Sequence, residues 1–239
     1  DIKGAATDSV RAAEVSAQLA AVWTQIARRF ADKGQFLIFE AANEIHDGGW
    51  GWGANRSDGG KQYATHNAWM QTFVDAVRAT GGNNTTRFLG IPGYCTNPAL
   101  TCEHLQLPAD SVADRLLVAV HFYDPVSFAI NGEKTEWGHT ADTAAKETWG
   151  DEKNVTDIFD MLRKRFIDNG TPVYIGEFGC GNRDTERAEA FRRYYLEYVC
   201  RAAADRGIAL TYWDNGNRGT GHEAFGLFDR TPGAFYSPA

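Results

Sequence analysis

Two glutamates occupy equivalent positions in this sequence, each at the end of a short apolar run. Phe36-Leu37-Ile38-Phe39 leads into Glu40-Ala41-Ala42-Asn43-Glu44, and Val173-Tyr174-Ile175-Gly176 leads into Glu177-Phe178-Gly179. Apolar runs of this length read as buried strands, and a strand that ends in a carboxylate delivers it to the rim of a sheet or barrel. Two carboxyl groups brought together from distant stretches are what glycoside hydrolysis requires. One acid protonates the leaving oxygen while the other attacks the anomeric carbon or activates water. For this division of labour the two environments must push the pKa values apart.

Other residue types beside these runs suit a sugar site. The Asn43 amide precedes Glu44, where it can hydrogen-bond a sugar hydroxyl next to the reacting carbon. The ordinary alternative is a helix-start Asn followed by a surface Glu. Glu177 lies between Gly176 and Gly179, where a missing Cβ lets backbone and substrate approach closely. Its alternative is a turn Glu paired with a nearby Arg such as Arg183. His121 and Tyr123 are two residues apart in His121-Phe122-Tyr123-Asp124-Pro125, so an extended chain puts them on one face, able to orient a nucleophilic carboxylate. A capped strand end with ordinary packing would look the same. Trp213, before Asp214-Asn215-Gly216-Asn217, can floor a sugar site or simply close the core edge. Trp50 and Trp52 lie in Gly48-Gly49-Trp50-Gly51-Trp52-Gly53, too rich in glycine for a helix or strand interior. Their flat faces suit a sugar ring or, equally, cap the core beneath the loop.

The elements that must position these residues alternate between helix and strand. Helical periodicity covers 9–31 through Val15, Leu19, Val22, Trp23, Ile26 and Phe30, with Asp8 or Ser9 as the cap. It returns over 61–79, 154–168 and 184–206. Strand-like runs fall at 36–41, 86–91, 116–121, 172–178 and 208–213. Near-continuous apolar strands separated by helices predict a parallel sheet covered on both faces. No Gly-x-Gly-x-x-Gly or Walker-type loop follows any strand, which disfavours a nucleotide-binding doubly wound fold. Polar residues instead cluster at the C-terminal ends of the strands, as in a (β/α)8 TIM barrel, an α/β fold whose chemistry is collected at one face.

Eight strands in about 250 residues make such a barrel, and the sequence offers five. The chain therefore reads as a partial barrel over 1–239, one catalytic domain lacking the first three strands and the last helix. A missing N-terminal segment that completes the barrel is an expected partner.

At this point the chain resembles glycoside hydrolase family 5, the cellulase-type retaining β-glycanases. The match runs through Ile38-Phe39-Glu40-Ala41-Ala42-Asn43-Glu44, His121-Phe122-Tyr123, Ile175-Gly176-Glu177-Phe178-Gly179 and Trp213-Asp214-Asn215-Gly216. Trp23-Thr24-Gln25-Ile26-Ala27 and Ala79-Thr80-Gly81-Gly82-Asn83 add context. The resemblance implies that the five strands are the fourth to eighth of the barrel. It implies Glu44 as the acid/base and Glu177 as the nucleophile. Asn43 would contact the sugar, His121 and Tyr123 would support the nucleophile, and Trp213 would line the cleaved sugar's site. The family's first three strands supply an arginine and histidines to the same site, and nothing in this sequence matches them. The implied reaction is retaining, endo-acting cleavage of a β-1,4-glucan. Xyloglucan, mannan and mixed-linkage glucan are the alternative backbones, with Trp50, Trp52, Tyr63, Trp137 and Trp149 on the segments that would choose among them. A non-catalytic carbohydrate-binding fragment is the alternative of another class.

Composition narrows the remaining classes. The chain has 239 residues, 43% of them apolar, enough for one sizeable core. A net charge of −7 offers no electrostatic footprint for nucleic acid. No stretch approaches the ~18 consecutive apolar residues of a membrane span. The six histidines are scattered, and no Cys-x-x-Cys or His-x-His cluster appears, so no metal or other cofactor is expected. Cys95 and Cys102 flank a short loop and could bridge, while Cys180 and Cys200 leave three full pairings open. The first residues carry no apolar signal region, yet a polysaccharide substrate makes a secreted protein the expectation. Sequons at Asn55, Asn83, Asn84, Asn154 and Asn169 matter only in a eukaryotic secretory host.

Overall fold

The computed structural model describes residues 1–231 and 233–235. The chain forms two compact units, one of residues 1–120 and 165–173, the other of residues 121–164 and 174–239. Five parallel strands are hydrogen-bonded in chain order: β1 (Phe39–Glu40), β2 (Leu89–Pro92), β3 (Leu116–Phe122), β4 (Val173–Phe178) and β5 (Ala209–Tyr212). Sequential parallel order with helical crossovers is the arrangement expected of a stretch of (β/α)8 barrel.

The first unit begins with α1 (Ile2–Thr7) and α2 (Ser9–Arg29). Asp8 caps α2, its carboxylate accepting from the Val10 N–H at 2.8 Å and the Arg11 N–H at 3.3 Å. Trp23 of α2 meets Phe73 of α3 (Lys61–Arg78) edge to face at 4.6 Å, and its indole N–H donates to the Ala41 carbonyl. Phe73, Val74 and Val77 of α3 and Leu89, Ile91, Val118 and Val120 of the strands are buried. The register pairs Phe39 with Leu89 and Leu89 with Leu116. Arg87 is almost fully buried and donates to the carbonyls of Phe30, Lys33, Gly34 and Leu37, which ties down the chain entering β1. Asn55 and Asn84 are also buried, so two of the five sequons are inaccessible.

The second unit contains the end of β3, β4 from Tyr174, β5, α5 (Val126–Ala129), most of α6 (Glu152–Arg165) and α7 (Glu186–Ala204). Thr185 caps α7, and Glu186 and Glu189 in its first turn favour the positive end of the helix dipole. Trp137, Tyr195, Phe128, Phe122 and Phe159 fill the core through edge-on contacts such as Phe122 with Phe159 at 5.0 Å. A short hairpin of β6 (Phe228–Asp229) and β7 (Ala234–Phe235) follows.

Three expectations need correction. The run 36–39 is not a buried strand: Phe36 is 85% exposed and Ile38 lies open, leaving Phe39 as the buried residue, because β1 is an edge strand with β2 as its partner. At the other edge, Ala209 and Thr211 of β5 face solvent, so β5 is not covered on both faces either. The four cysteines are free thiols, and α4 (Pro98–His104) occupies the loop where a Cys95–Cys102 bridge was conceivable.

Candidate active site

The nucleophile candidate stands at a break in strand pairing. Ile175 pairs with Leu210 and Phe178 with Tyr212, so β4 advances three residues while β5 advances two. One extra residue is accommodated at Gly176-Glu177, a bulge of the kind that re-aims a side chain. Strict alternation would put Ile175 and Glu177 on one face. Instead Val173, Ile175 and Phe178 are buried, while Glu177 is left half-buried and usable.

Two residues from the end of β3 converge on it. The Tyr123 hydroxyl donates to Glu177 Oε2 at 3.1 Å. His121 Nδ1 lies 3.5 Å from the same oxygen, and its ring is almost fully buried. The predicted shared face of His121 and Tyr123 is thus realised. A donated hydrogen bond favours the ionised carboxylate, the form a nucleophile must take. Both groups address Oε2, so they fix the rotation of the carboxylate and leave Oε1 to other contacts.

The packing around this trio went unseen in the sequence. Phe225 is buried beside Tyr123, with ring centroids 5.9 Å apart, and a Cβ at Gly179 would come within 3.1 Å of its ring. A side chain at Gly179 would thus press on that ring, whereas a Cβ at Gly176 would meet His121 at an ordinary 3.5 Å. Buried Arg192 of α7 donates to the Cys180 carbonyl at 2.8 Å and to the Tyr212 hydroxyl at 3.2 Å, which joins the ends of β4 and β5. Burial pushes the Cys180 thiol up to about 12, so it stays protonated. Arg183, the alternative partner for Glu177, turns to the Phe128 carbonyl and lies over that ring at 4.9 Å. Trp213 follows β5, 43% exposed, with its backbone N–H donating to the Phe178 carbonyl at 2.9 Å; it is not a core residue.

In the other unit, Asn43 and Glu44 follow β1, Asn43 exposed and Glu44 half-buried. Glu44 is therefore neither sealed in the core nor a fully exposed surface residue. The next residues are held by the turn after β2: the Cys95 N–H donates to the Ile45 carbonyl at 2.9 Å, and the Asp47 N–H donates to the Tyr94 hydroxyl at 3.2 Å. Cys95 and Thr96 adopt φ of +57° and +48° in this turn, a conformation rare for residues with a Cβ. The aromatic candidates separate cleanly. Tyr63 is buried against His104 and Tyr94, and Trp137 is buried among tyrosines, so neither is open to a ligand. Trp50, Trp52 and Trp149 are more than half exposed.

Residues 4–219 match the sequence profile described as Cellulase (glycosyl hydrolase family 5). Endoglucanase A of Paenibacillus barcinonensis is 36% identical over 224 residues, covering 87% of this chain and 54% of the relative. A xyloglucan-specific endo-β-1,4-glucanase of Bacteroides ovatus is 34% identical over 232 residues, covering 93% of this chain and 44% of the relative. The chain thus spans about half the length of these curated relatives. Among solved structures, a broad-specificity endoglucanase from Bacteroides salanitronis superposes with a TM-score of 0.96 at 58% identity. That match covers 99% of this chain and 63% of the neighbour. The parallel strands and their helices are accordingly part of a (β/α)8 barrel.

Proposed function

Since the chain belongs to the cellulase family, glycosyl hydrolase family 5, and is a glycosidase by that membership, we propose that it carries out retaining, endo-acting hydrolysis of β-1,4-linked glucans. Glu177 is the nucleophile and Glu44 the acid/base. A retaining mechanism calls for two carboxyl groups about 5–5.5 Å apart. The observation that carries this reading is the Tyr123 hydroxyl on Glu177 Oε2, with His121 beside it, at a bulged strand end.

In the first step ionised Glu177 attacks the anomeric carbon while protonated Glu44 gives its proton to the departing sugar oxygen. In the second, Glu44 takes a proton from water, which attacks the same carbon and releases Glu177. Asn43 hydrogen-bonds the sugar next to the reacting carbon, and the open face of Trp213 floors the cleaved sugar. Trp50 and Trp52 offer flat apolar faces to further sugar rings. The protein is secreted, since a polymer of this size is met outside the cell.

The names of the relatives favour a substrate range wider than cellulose. The 58% identical neighbour is called broad-specificity and a curated relative xyloglucan-specific. Xyloglucan and mixed-linkage glucan are therefore placed beside cellulose-type backbones. Reducing-sugar release on a panel of these polymers, with the anomer of the first product read by proton NMR, tests the proposal. β-Product from β-glucan is expected. First-formed α-product would remove the retaining mechanism, and no release from any polymer would remove the activity.

A further inference from the structure

The loop after Glu44 is a poor candidate for self-supporting structure. It contains four glycines in residues 48–53, and Trp50 sits at φ +51°, a region disfavoured for a bulky side chain. Its two indoles are 59% exposed at Trp50 and 75% at Trp52, each covered on one side only, Trp50 by the His46 ring at 4.1 Å and Trp52 by the Arg56 guanidinium at 4.2 Å. Apolar side chains on such a loop are expected to fold back onto the core unless something holds them out.

Asp47 supplies that hold. One carboxylate oxygen accepts the Gly49 N–H at 3.0 Å, and the other accepts the Asn55 N–H at 3.1 Å and the Gln62 amide at 3.2 Å. Its own N–H reaches the Tyr94 hydroxyl, which in turn donates to Gln62 Oε1 at 2.7 Å. Both ends of the glycine loop are therefore tied to one carboxylate, which is tied to α3 through Gln62, while the Asp47 backbone is tied to the turn after β2. Gln62, Asn55 and Tyr94 are almost fully buried, so the anchors do not move with the surface. The fit is close: a Cβ on Gly53 would lie 2.3 Å from Asp47 Oδ1, and one on Gly49 would lie 2.3 Å from the Gly53 Cα. Asn55 closes the ring, accepting the Gly53 N–H and donating to the Gly51 carbonyl and the Tyr63 hydroxyl. Burial alone would raise the Asp47 carboxyl, but the donors from Gly49, Gln62 and Asn55 hold it below the ordinary value, which keeps it charged.

We propose that Asp47 is a positioning residue whose carboxylate holds the Trp50–Trp52 loop outward as a rigid sugar-stacking surface next to the acid/base. Its ligand-side meaning rests on the glycan-hydrolase reading above. Its structural core, that one carboxylate sets the indoles, does not.

The test is fluorine NMR of the protein labelled with 5-fluorotryptophan, its Trp50 and Trp52 signals assigned through Trp50→Phe and Trp52→Phe. Asp47→Ala is expected to shift or broaden those two signals and leave the other five tryptophans in place. It should raise KM on polymeric glucan about tenfold while kcat falls less than about threefold. Asp47→Asn keeps one acceptor for the Gly49 N–H and loses the acceptor for Asn55 and Gln62, so it should fall between wild type and Asp47→Ala; if Asp47→Ala does not fold, Asp47→Asn decides alone. Unmoved Trp50 and Trp52 signals, or all seven signals moving together, would overturn the proposal. If wild type releases no sugar from any β-glucan, the enzymatic reading fails, and the NMR comparison still settles what Asp47 does.

Discussion

Tyr123→Phe removes one oxygen and keeps the ring that packs beside Phe225. The lost contact is the hydroxyl donated to Glu177 Oε2 at 3.1 Å, toward the long end for an O–H···O bond. A hydrogen bond to a charged group contributes about 1.5–3 kcal/mol. The length argues for the lower half of that range, about 1.5–2 kcal/mol. The Glu177 side chain is 19% exposed, so little water can replace the donor. A donor on the attacking oxygen would by itself blunt the nucleophile. Tyr123 and His121 both address Oε2, so their effect is to fix the rotation of the carboxylate about that oxygen. Losing the Tyr123 contact lets the group rotate out of line. At about 1.4 kcal/mol per factor of ten, the fall in kcat is about 10–30-fold, with KM nearly unchanged. Hydrolysis of 4-nitrophenyl β-cellobioside measures this, with a melting curve run alongside. A Tyr123→Phe enzyme within twofold of wild type would refute the orienting role. A loss near that of removing Glu177 itself would show that Tyr123 takes part in the chemistry directly.

Glu177→Ala should lower turnover by about 10⁴–10⁶-fold, and added azide should restore it with an α-glycosyl azide as product; turnover restored without azide adducts would contradict the nucleophile assignment. The side chains of the Arg78–Asp110 pair are buried, at 2.6 Å, and Asp110→Asn would leave the guanidinium, still on the Asn84 and Arg87 carbonyls, without its counter-charge at a cost of about 3 kcal/mol, a fall of about 6–12 °C in Tm. Burial raises the Asp110 carboxyl, but Arg78 outweighs it and the net shift is downward. This contribution is therefore present above the unfolded value near 4 and lost as pH falls through the lower folded value, so the Tm gap between wild type and Asp110→Asn should shrink below about pH 4. Thiol titration should count four reactive cysteines in denaturant but only Cys200 readily in the native protein, and a count of two in denaturant would reveal a bridge.

Much of the layout was legible in the residues. The apolar period over 61–79 became α3, Asp8 capped α2 as its side chain allowed, and the two-residue spacing of His121 and Tyr123 brought both to one carboxylate. Those features depend on neighbours within a few turns of chain, where residue type and spacing decide. Other features had no local signal. Phe36 and Phe39 are the same residue type three positions apart, yet one is open and the other buried, because exposure depends on which strand lies alongside. Trp137 and Trp52 could not be told apart by composition, and the bulge at Gly176-Glu177 follows from the register against β5. Arg87 reaches Phe30, and Tyr94 reaches Asp47, across separations of 57 and 47 residues. The sequence determined which groups are available and at which strand ends they stand. Where those groups point was decided by register, burial and hydrogen bonds between distant segments, which exist only once the chain has closed on itself.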